Sequence, residues 1–219
     1  MDLVETTSRT PVTNGMVWIV ASLLFVLGSW LIGQGSWIHV KAVAAQWLLK
    51  DAWHETLTTQ RPVKPWPWAD TWPVGRLIVP RLSINQIILA DASGESLAFG
   101  PGKVGTGNFS DEDSQSLILS GHRDTHFGFV RDVQIGERMT VQTLQGKWRS
   151  FVVETIEVVD SRIDTLPMNQ ERPDLRLITC YPFDALLPGG PLRYVVTARL
   201  VALSVVTQTV ASVSAGSGS

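Results

Sequence analysis

The pattern of hydrophobic and polar positions divides the chain into an apolar N-terminal part and a longer part made of short runs. Residues 17–33, VWIVASLLFVLGSWLIG, extend for seventeen positions without a charge, and a membrane-spanning helix needs about 17 to 25 apolar residues. Residues 36–57 then keep the spacing of an amphipathic helix, with an apolar stripe of Trp37, Val40, Ala44, Trp47 and Leu48. The pattern predicts a transmembrane anchor over residues 17–34 and a juxtamembrane helix that lies in the membrane interface or docks on the next domain.

Beyond residue 75 the pattern changes to short apolar runs separated by Gly, Pro and Asp. The runs are RLIVPRL, INQIILA, SLILSGH, RMTVQTL, WRSFVVETIEVV, LRLITC and LRYVVTARL, with a Gly-rich loop between the second and the third. Runs of this length that are rich in Val, Ile, Leu and Thr are typical of strands. About eight such segments, without long helical periodicity between them, indicate an all-β barrel or sandwich.

A segment rich in proline and tryptophan separates the two parts. Residues 61–74, RPVKPWPWADTWPV, contain four prolines and three tryptophans, so they favour extended backbone and carry too much aromatic surface for a solvated linker. We expect them to pack on the next domain or at a membrane interface. The predicted organisation is a tail at 1–16, the anchor at 17–34, the juxtamembrane helix and linker at 35–74, the β-domain at 75–202 and a C-terminal tail at 203–219.

A cleaved signal peptide is the main alternative to the anchor. Signal peptides have a positive N-terminal region and a small-residue cleavage site, whereas here Asp2 and Glu5 offset Arg9 and the apolar run leads into Trp, Gln and His. The uncleaved anchor is therefore favoured. Its orientation is weakly indicated, because Arg9 against Lys41 and Lys50 places the C-terminal side in the cytoplasm, but long domains translocate largely regardless of charge.

Composition and charge exclude some classes of function. A net charge of -2 and a pI near 6.1 leave no basic surface for phosphate contacts, and zinc-finger or RNA-binding signatures are absent, so nucleic acid is not an expected partner. No cofactor is predicted. The acidic cluster Asp111, Glu112 and Asp113 lacks the ligand spacing of a calcium loop, which favours a solvated turn and leaves calcium dependence open.

The candidate chemistry begins with Cys180, the single cysteine, at the end of the run LRLITC. A lone cysteine is most often a small buried hydrophobic residue, whereas a nucleophilic thiolate needs a partner that exchanges its proton, usually histidine. His122 follows Gly121 at the end of another apolar run, where a strand would expose it at the rim of a sheet. His126, four residues on, is the rival, and neither histidine has the spacing of a zinc site.

Three further positions complete the candidate site. Arg193 lies thirteen residues after Cys180, and if the two runs pair, both side chains lie near the connecting loop. Arg193 is then either a surface charge or a donor that stabilises an oxyanion. Thr179 is either a substrate contact or an ordinary strand residue, and Asp124 with Thr125 fits a capping turn better than a functional role.

These motifs resemble the sortases, the membrane-anchored cysteine transpeptidases. The resemblance rests on GHRDTHF at residues 121–127, LITCYPF at 177–183 and Arg193, and it covers residues 75–200, with WPWAD upstream also similar. Sortases typically have a TLxTC signature that ends in the nucleophile, and Arg176 here replaces its first threonine. The pattern is most similar to the proteobacterial, marine-type (class GN) sortases.

The resemblance implies a fold, a location and a reaction. The fold would be an eight-stranded β-barrel with short helices, with the N-terminus cytoplasmic and the catalytic domain extracytoplasmic (periplasmic) at the inner membrane. The substrate would be a secreted protein with an LPxTG-like C-terminal sorting signal, and the acceptor an amine. Cys180 would form a thioacyl enzyme, His122 would act as general acid and base, and Arg193 would stabilise the oxyanion.

Other functions fit part of the pattern. A hydrolytic cysteine protease would use the same Cys180 and His122, but the CGSCW signature of papain-type enzymes is absent and no residue can be assigned to orient the imidazole. An l,d-transpeptidase would need a histidine-glycine-cysteine cluster near its nucleophile. A membrane-tethered β-domain without enzymatic activity would have Cys180 as core and bind a partner through its tryptophans.

Overall fold

The structure, a computed structural model, describes residues 12–105, 116–164, 173–185 and 189–204, with side chains described from residue 15 to 31 and again from 44 to 201 within those ranges. The chain forms two compact units, Met1–Ala45 and Gln46–Ser219. One long helix, α1, covers Val12–Thr59. The two helices predicted for this part are therefore a single continuous element.

The first unit carries the apolar part of α1. Its large hydrophobic side chains from Met16 to Leu31 are exposed. Within the described residues, no helix is both long and apolar enough to span a bilayer. The transmembrane anchor predicted over residues 17–34 is therefore not supported by the described residues. The side chains of this stretch are described as far as Leu31.

The second unit is built on a β-barrel. Its eight strands within the described residues are β1 (Pro73–Val79), β2 (Ile84–Leu89), β3 (Gly102–Lys103), β4 (Leu117–Ser120), β5 (Arg138–Gln142), β6 (Trp148–Asp160), β7 (Asp174–Cys180) and β8 (Leu192–Ser204). They close in the order β1-β2-β3-β4-β7-β8-β6-β5. Short helices, α2 (Gly94–Leu97) and 3-10 turns at Pro80–Leu82 and Gly128–Asp132, lie between strands. The predicted eight-stranded barrel with short helices is confirmed.

Alternation along the strands produces the core of the barrel. On β7, Leu175 and Leu177 are fully buried in the same cluster as Phe151 of β6 and Leu119 of β4, because successive side chains of a strand point to opposite faces. Burying such side chains contributes about 1.5–3 kcal/mol each. The packed interior gives the ends of β4 and β7 a rigid frame.

The C-terminal part of α1 docks on the barrel through a face that the sequence placed incorrectly. Leu49 and Trp53, one turn apart, pack against Ile87 and Leu89 of β2, whereas Trp47 of the predicted stripe is 65% exposed. The helix is also tied by Gln46, whose side-chain nitrogen donates to the carbonyl of Phe99 at 2.6 Å, and by Trp53 Nε1, which donates to Gln142 Oε1 at 3.4 Å. Docking as ordinary core is thus what this part of α1 does.

The segment rich in proline and tryptophan lies along the barrel for most of its length. The Trp66 ring meets Phe99 edge-on at 5.0 Å between centroids, and Trp72 packs against the main core. Trp68 remains exposed. The prediction that the segment packs on the next domain is confirmed for two of its three tryptophans.

Candidate active site

Parallel pairing of β4 with β7 brings the candidate histidine and cysteine to the same end of the barrel. The last registered pair is Ser120 with Ile178, and the Gly121 amide donates to the Ile178 carbonyl at 3.3 Å. His122, which is exposed, follows β4 by two residues, and Cys180, a half-buried free cysteine, is the last residue of β7. Both residues therefore lie at the same end of two neighbouring parallel strands, at positions that solvent can reach.

Arg193 lies directly across from the cysteine. Antiparallel pairing of β7 with β8 aligns Cys180 with Arg193, as the sequence predicted for adjacent strands. The Arg193 guanidinium donates through Nη1 to the carbonyls of Gly190 at 2.6 Å and Leu192 at 2.9 Å. These bonds hold the cation on the loop that joins the two strands.

Arg193 also acts on a nearby carboxylate. The pKa of Asp160 is lowered to about 2, mainly by hydrogen bonds from Arg162, with a smaller contribution from the charge of Arg193. Asp160 pairs with Leu192 in the register between β6 and β8. The positive charge opposite Cys180 is thus flanked by an anion on its other neighbouring strand.

The turn that carries His122 is fixed by the ring of Phe127. A Cβ atom on Gly121 would lie 2.6 Å from Phe127 Cγ, which no real contact permits, so only glycine fits beneath the ring. The Phe127 amide donates to the His122 carbonyl at 2.9 Å, and its side chain is fully buried. The sequence indicated a glycine turn before the histidine, and the reason for the glycine is this close approach.

His126 has a different environment from His122. Its Nε2 lies 3.4 Å from the carbonyl of Ala98, and its own carbonyl accepts from Gln86 Nε2 at 2.7 Å. Burial lowers the pKa of His126, and the charge of His122 lowers it slightly further. His126 therefore packs against residues that follow α2 and lie on β2, while His122 is exposed just after β4, the parallel neighbour of the strand that ends at Cys180.

Thr179 is a buried residue of β7. It is 2% exposed, and its hydroxyl donates to the Gly121 carbonyl at 2.7 Å. The structure thus gives its side chain a contact with the residue just before His122, and the substrate contact suggested by the sequence stays a prediction.

Arg123 is a site residue that the sequence analysis did not single out. It is 9% exposed, and its guanidinium donates through Nη1 to the Pro182 carbonyl and through Nη2 to the Ala185 carbonyl, both at 2.7 Å. Its Nε lies 3.5 Å from the carboxylate of Asp124. The only signal in the sequence was its place directly after His122, because its main partners are backbone carbonyls.

An aromatic cluster that the sequence analysis also missed borders the cysteine. Tyr181 and Tyr194 stack at 6.1 Å between centroids, and Phe183 meets Tyr194 edge-on at 5.1 Å. The Arg131 guanidinium lies over the Phe183 ring at 5.1 Å, and burial raises the pKa of Tyr194. Tyr194 pairs with Thr179 of β7, so its ring lies on the face of the sheet opposite to Cys180 and Arg193.

Arg176, which replaces the threonine that the resemblance predicted, forms a buried ion pair. Its Nε and Nη2 donate to Asp174 Oδ2 at 3.0 and 2.8 Å, and both side chains are almost completely buried. The pair lies on the face of β7 that also carries Cys180, since alternate residues share a face. The substitution therefore comes with its own counter-charge two residues earlier.

The described residues contain no group of three or more His, Cys, Asp or Glu side chains that could hold a metal ion. The acidic cluster at residues 111–113 lies outside the described residues.

Known proteins resemble this chain over its barrel. Residues 77–201 match the family model of the sortase domain. Sortase D of Bacillus subtilis (strain 168) is 28% identical over 127 residues, which make up 58% of this chain and 63% of that relative. The match thus spans less than two thirds of the curated relative's length.

Two solved structures show the same likeness. Sortase C-1 from Actinomyces oris has a TM-score of 0.53 and 26% identity, covering 60% of this chain and 75% of that chain. The Clostridium perfringens sortase D5 transpeptidase has a TM-score of 0.54, covering 72% of this chain and 96% of its own, and at 18% identity it shows the fold alone.

Proposed function

The chain belongs to the sortase family, whose domain matches more than half of its length, and we propose that it is a cysteine transpeptidase with Cys180 as nucleophile. The observation that carries this proposal is the register of three strands. The β4–β7 pairing ends at Ser120 with Ile178, two residues before His122 and Cys180, and the β7–β8 pairing sets Cys180 opposite Arg193. A thiol between an imidazole and a guanidinium has the groups that acyl transfer requires.

In the first half of the proposed reaction, the Cys180 thiol passes its proton to His122, and the resulting thiolate attacks the carbonyl carbon of the scissile peptide bond. The carbonyl oxygen becomes an oxyanion, which Arg193 stabilises by its charge. The carbon–nitrogen bond then breaks, and His122 gives a proton to the departing amine. The product is a thioester between Cys180 and the substrate, with the leaving peptide released as a neutral amine.

In the second half an acceptor amine replaces the enzyme. The amine nitrogen attacks the thioester carbonyl while His122 takes its proton, the carbon–sulfur bond breaks, and a new amide forms. Water can compete as acceptor.

Arg193 suits this role because it is already held in place. The bonds from Nη1 to Gly190 and Leu192 orient the planar group, so that orienting it costs little when the oxyanion develops. We assign the remaining N–H groups of Arg193 to the oxyanion and to the substrate backbone.

The substrate part of the proposal is a secreted protein with an LPxTG-like C-terminal sorting signal, joined to an amine acceptor. It rests on the motifs at residues 121–127 and 177–183, which are most similar to those of proteobacterial, marine-type sortases. A panel of sorting-signal peptides that vary the residues around the scissile bond would test it. Cleavage that ignores the Leu-Pro portion of the signal would contradict it.

We also propose that the protein acts at the inner membrane, with the barrel on the extracytoplasmic side. This proposal is supported by the exposed apolar side chains of α1 from Met16 to Leu31, which contact with membrane lipid would remove from water. Fractionation of cells that express the full chain, followed by protease treatment of spheroplasts, tests both parts. Recovery in the soluble fraction, or protection of the barrel from protease, would reject the proposed location.

The activity itself is tested with a sorting-signal peptide and an added amine. Cys180→Ala and His122→Ala should abolish ligation, whereas His126→Ala should keep appreciable activity, because His126 packs against Ala98. Equal loss at His126 would reverse the assignment of the histidine. A hydrolysed product that added amine does not change would instead favour a hydrolytic cysteine protease, and no cleavage of any peptide would favour a binding domain.

A further inference from the structure

We infer that Arg123 is a positioning residue that aligns His122 with Cys180, by tying the turn that follows the histidine to the segment that follows the cysteine. The inference rests on the proposed function, since it concerns the same two groups. It goes further by assigning a role to a buried cation that takes no part in bond making.

The contacts of Arg123 link the two halves of the site directly. Arg123 is next to His122 in the chain, and its two terminal nitrogens each donate at 2.7 Å to carbonyls of the segment just after Cys180, at Pro182 and Ala185. A planar guanidinium holds two acceptors in a fixed relation, which an ammonium group does not. Any shift of one segment relative to the other would break one of these bonds.

A second cross-link lies on the other side of the pair. The Thr179 hydroxyl donates to the Gly121 carbonyl at 2.7 Å, one residue before Cys180 and one before His122. Arg123 makes the matching connection one residue after His122. One of these two links thus lies before His122 and Cys180 in the chain, and the other lies after them. Backbone pairing of β4 with β7 ends before both residues.

Burial makes the link around Arg123 hard to replace. The residue is 9% exposed, and although Pro182 is itself exposed, water in place of the guanidinium would not hold the carbonyls of Pro182 and Ala185 in a fixed relation. The segment after Cys180 would then find new partners by moving. Because a displacement of about 1 Å in reacting groups can cost about a hundredfold in rate, we expect a loss in kcat larger than any change in KM.

The test compares Arg123→Gln and Arg123→Lys with the wild type in the full chain. We expect Arg123→Gln to lower kcat for peptide-to-amine ligation by roughly ten- to a hundredfold, with KM within about threefold, and Arg123→Lys to recover part of the loss because it keeps one charged donor. If Arg123→Gln does not fold, the kcat of Arg123→Lys is the deciding measurement. A wild-type kcat in Arg123→Lys would then overturn the inference.

Arg81→Gln is the matched control for stability. Arg81 also joins a carboxylate, Glu137, and a backbone carbonyl, that of Asp132, but none of these residues belongs to the candidate site. It should lower the melting temperature and leave kcat unchanged in the folded protein. Equal losses of kcat in Arg81→Gln and Arg123→Gln would show general destabilisation and overturn the inference.

A second readout does not depend on the transpeptidase reaction. The rate at which iodoacetamide alkylates Cys180 is followed by mass spectrometry between pH 5 and 10 in the wild type, His122→Ala and Arg123→Gln. We expect Arg123→Gln to reproduce the changed profile of His122→Ala, even if no peptide proves to be a substrate, and this result would separate the inference from the proposed function. A wild-type profile in Arg123→Gln beside a changed profile in His122→Ala would overturn it, and if His122→Ala changes nothing, the kcat comparison decides.

Discussion

Removing one hydroxyl from Thr179 should disturb the site without touching a reacting group. Thr179→Val keeps the shape of the side chain and deletes the donor that binds the Gly121 carbonyl at 2.7 Å. The side chain is 2% exposed, so water cannot readily take the place of the hydroxyl. The carbonyl just before His122 would then lack one of its partners.

The loss of stability can be estimated from the hydrogen bond that Thr179→Val removes. A buried polar group that loses its partner costs about 1–3 kcal/mol, and each kcal/mol lowers the melting temperature by about 2–4 °C in a chain of this size. A loss near 2 kcal/mol therefore predicts a fall of roughly 4–8 °C. Thr179→Ser, which restores the donor, should lie close to the wild type.

Activity separates two roles for Thr179. If the hydroxyl positions the His122 turn, kcat for ligation of a sorting-signal peptide should fall about tenfold or more while KM changes little. If the side chain contacts the substrate, as the sequence suggested, KM should rise instead. Steady-state kinetics well below the melting temperature distinguish these outcomes.

Thr143→Val provides the control for this substitution. Thr143 is also fully buried, and its hydroxyl lies 3.4 Å from the Lys147 carbonyl in the turn between β5 and β6. We expect it to lower stability without a specific loss of kcat. The reasoning is refuted if Thr179→Val keeps the wild-type kcat, or if Thr143→Val loses as much.

Three other predictions follow from the site. Gly121→Ala should lower stability by about 1–3 kcal/mol and reduce ligation, because its Cβ would overlap the Phe127 ring; a crystal structure with an unmoved ring would contradict this. Arg193→Met should lower the single-turnover rate of thioester formation about 10²–10³-fold, and an unchanged rate would remove Arg193 from the mechanism. Burial lowers the pKa of His126 below its ordinary 6.5, so the unfolded chain takes up the proton first as the pH falls, and the stability present above pH 6.5 should decrease below it. His126→Gln should make the melting temperature less dependent on pH in this range. An equal pH dependence in both proteins would contradict the lowered pKa of His126.

Short-range patterns in the sequence were sufficient to predict the strands and the places of two candidate residues at the strand ends. The run LRLITC ends at Cys180 in the structure as β7 does, and the Gly121–His122 step marks the end of β4. Both signals are local, since they depend on alternation and on a glycine next to a functional side chain. This is why the positions of the two candidate residues on their strands could be predicted.

Long-range partners could not be predicted in the same way. The parallel pairing of β4 with β7 joins segments more than fifty residues apart, and the partners of Arg123 are backbone carbonyls, which every residue possesses. The buried face of α1 was misplaced for a related reason. Spacing alone allowed several stripes, and contact with Ile87 and Leu89 selected the one that contains Leu49 and Trp53.

The proposed site divides its work between residues assigned to react and residues that order them. His122 is exposed and Cys180 half-buried, as the proposed roles require, while Thr179, Arg123 and Phe127 are buried and contact the backbone on either side. Ordering a chain costs about 1–2 kcal/mol per residue, and here the buried contacts of these three residues offset part of that cost. The same division explains why single changes at the buried neighbours should affect turnover more than substrate binding, because they alter alignment and leave the substrate-facing surface in place.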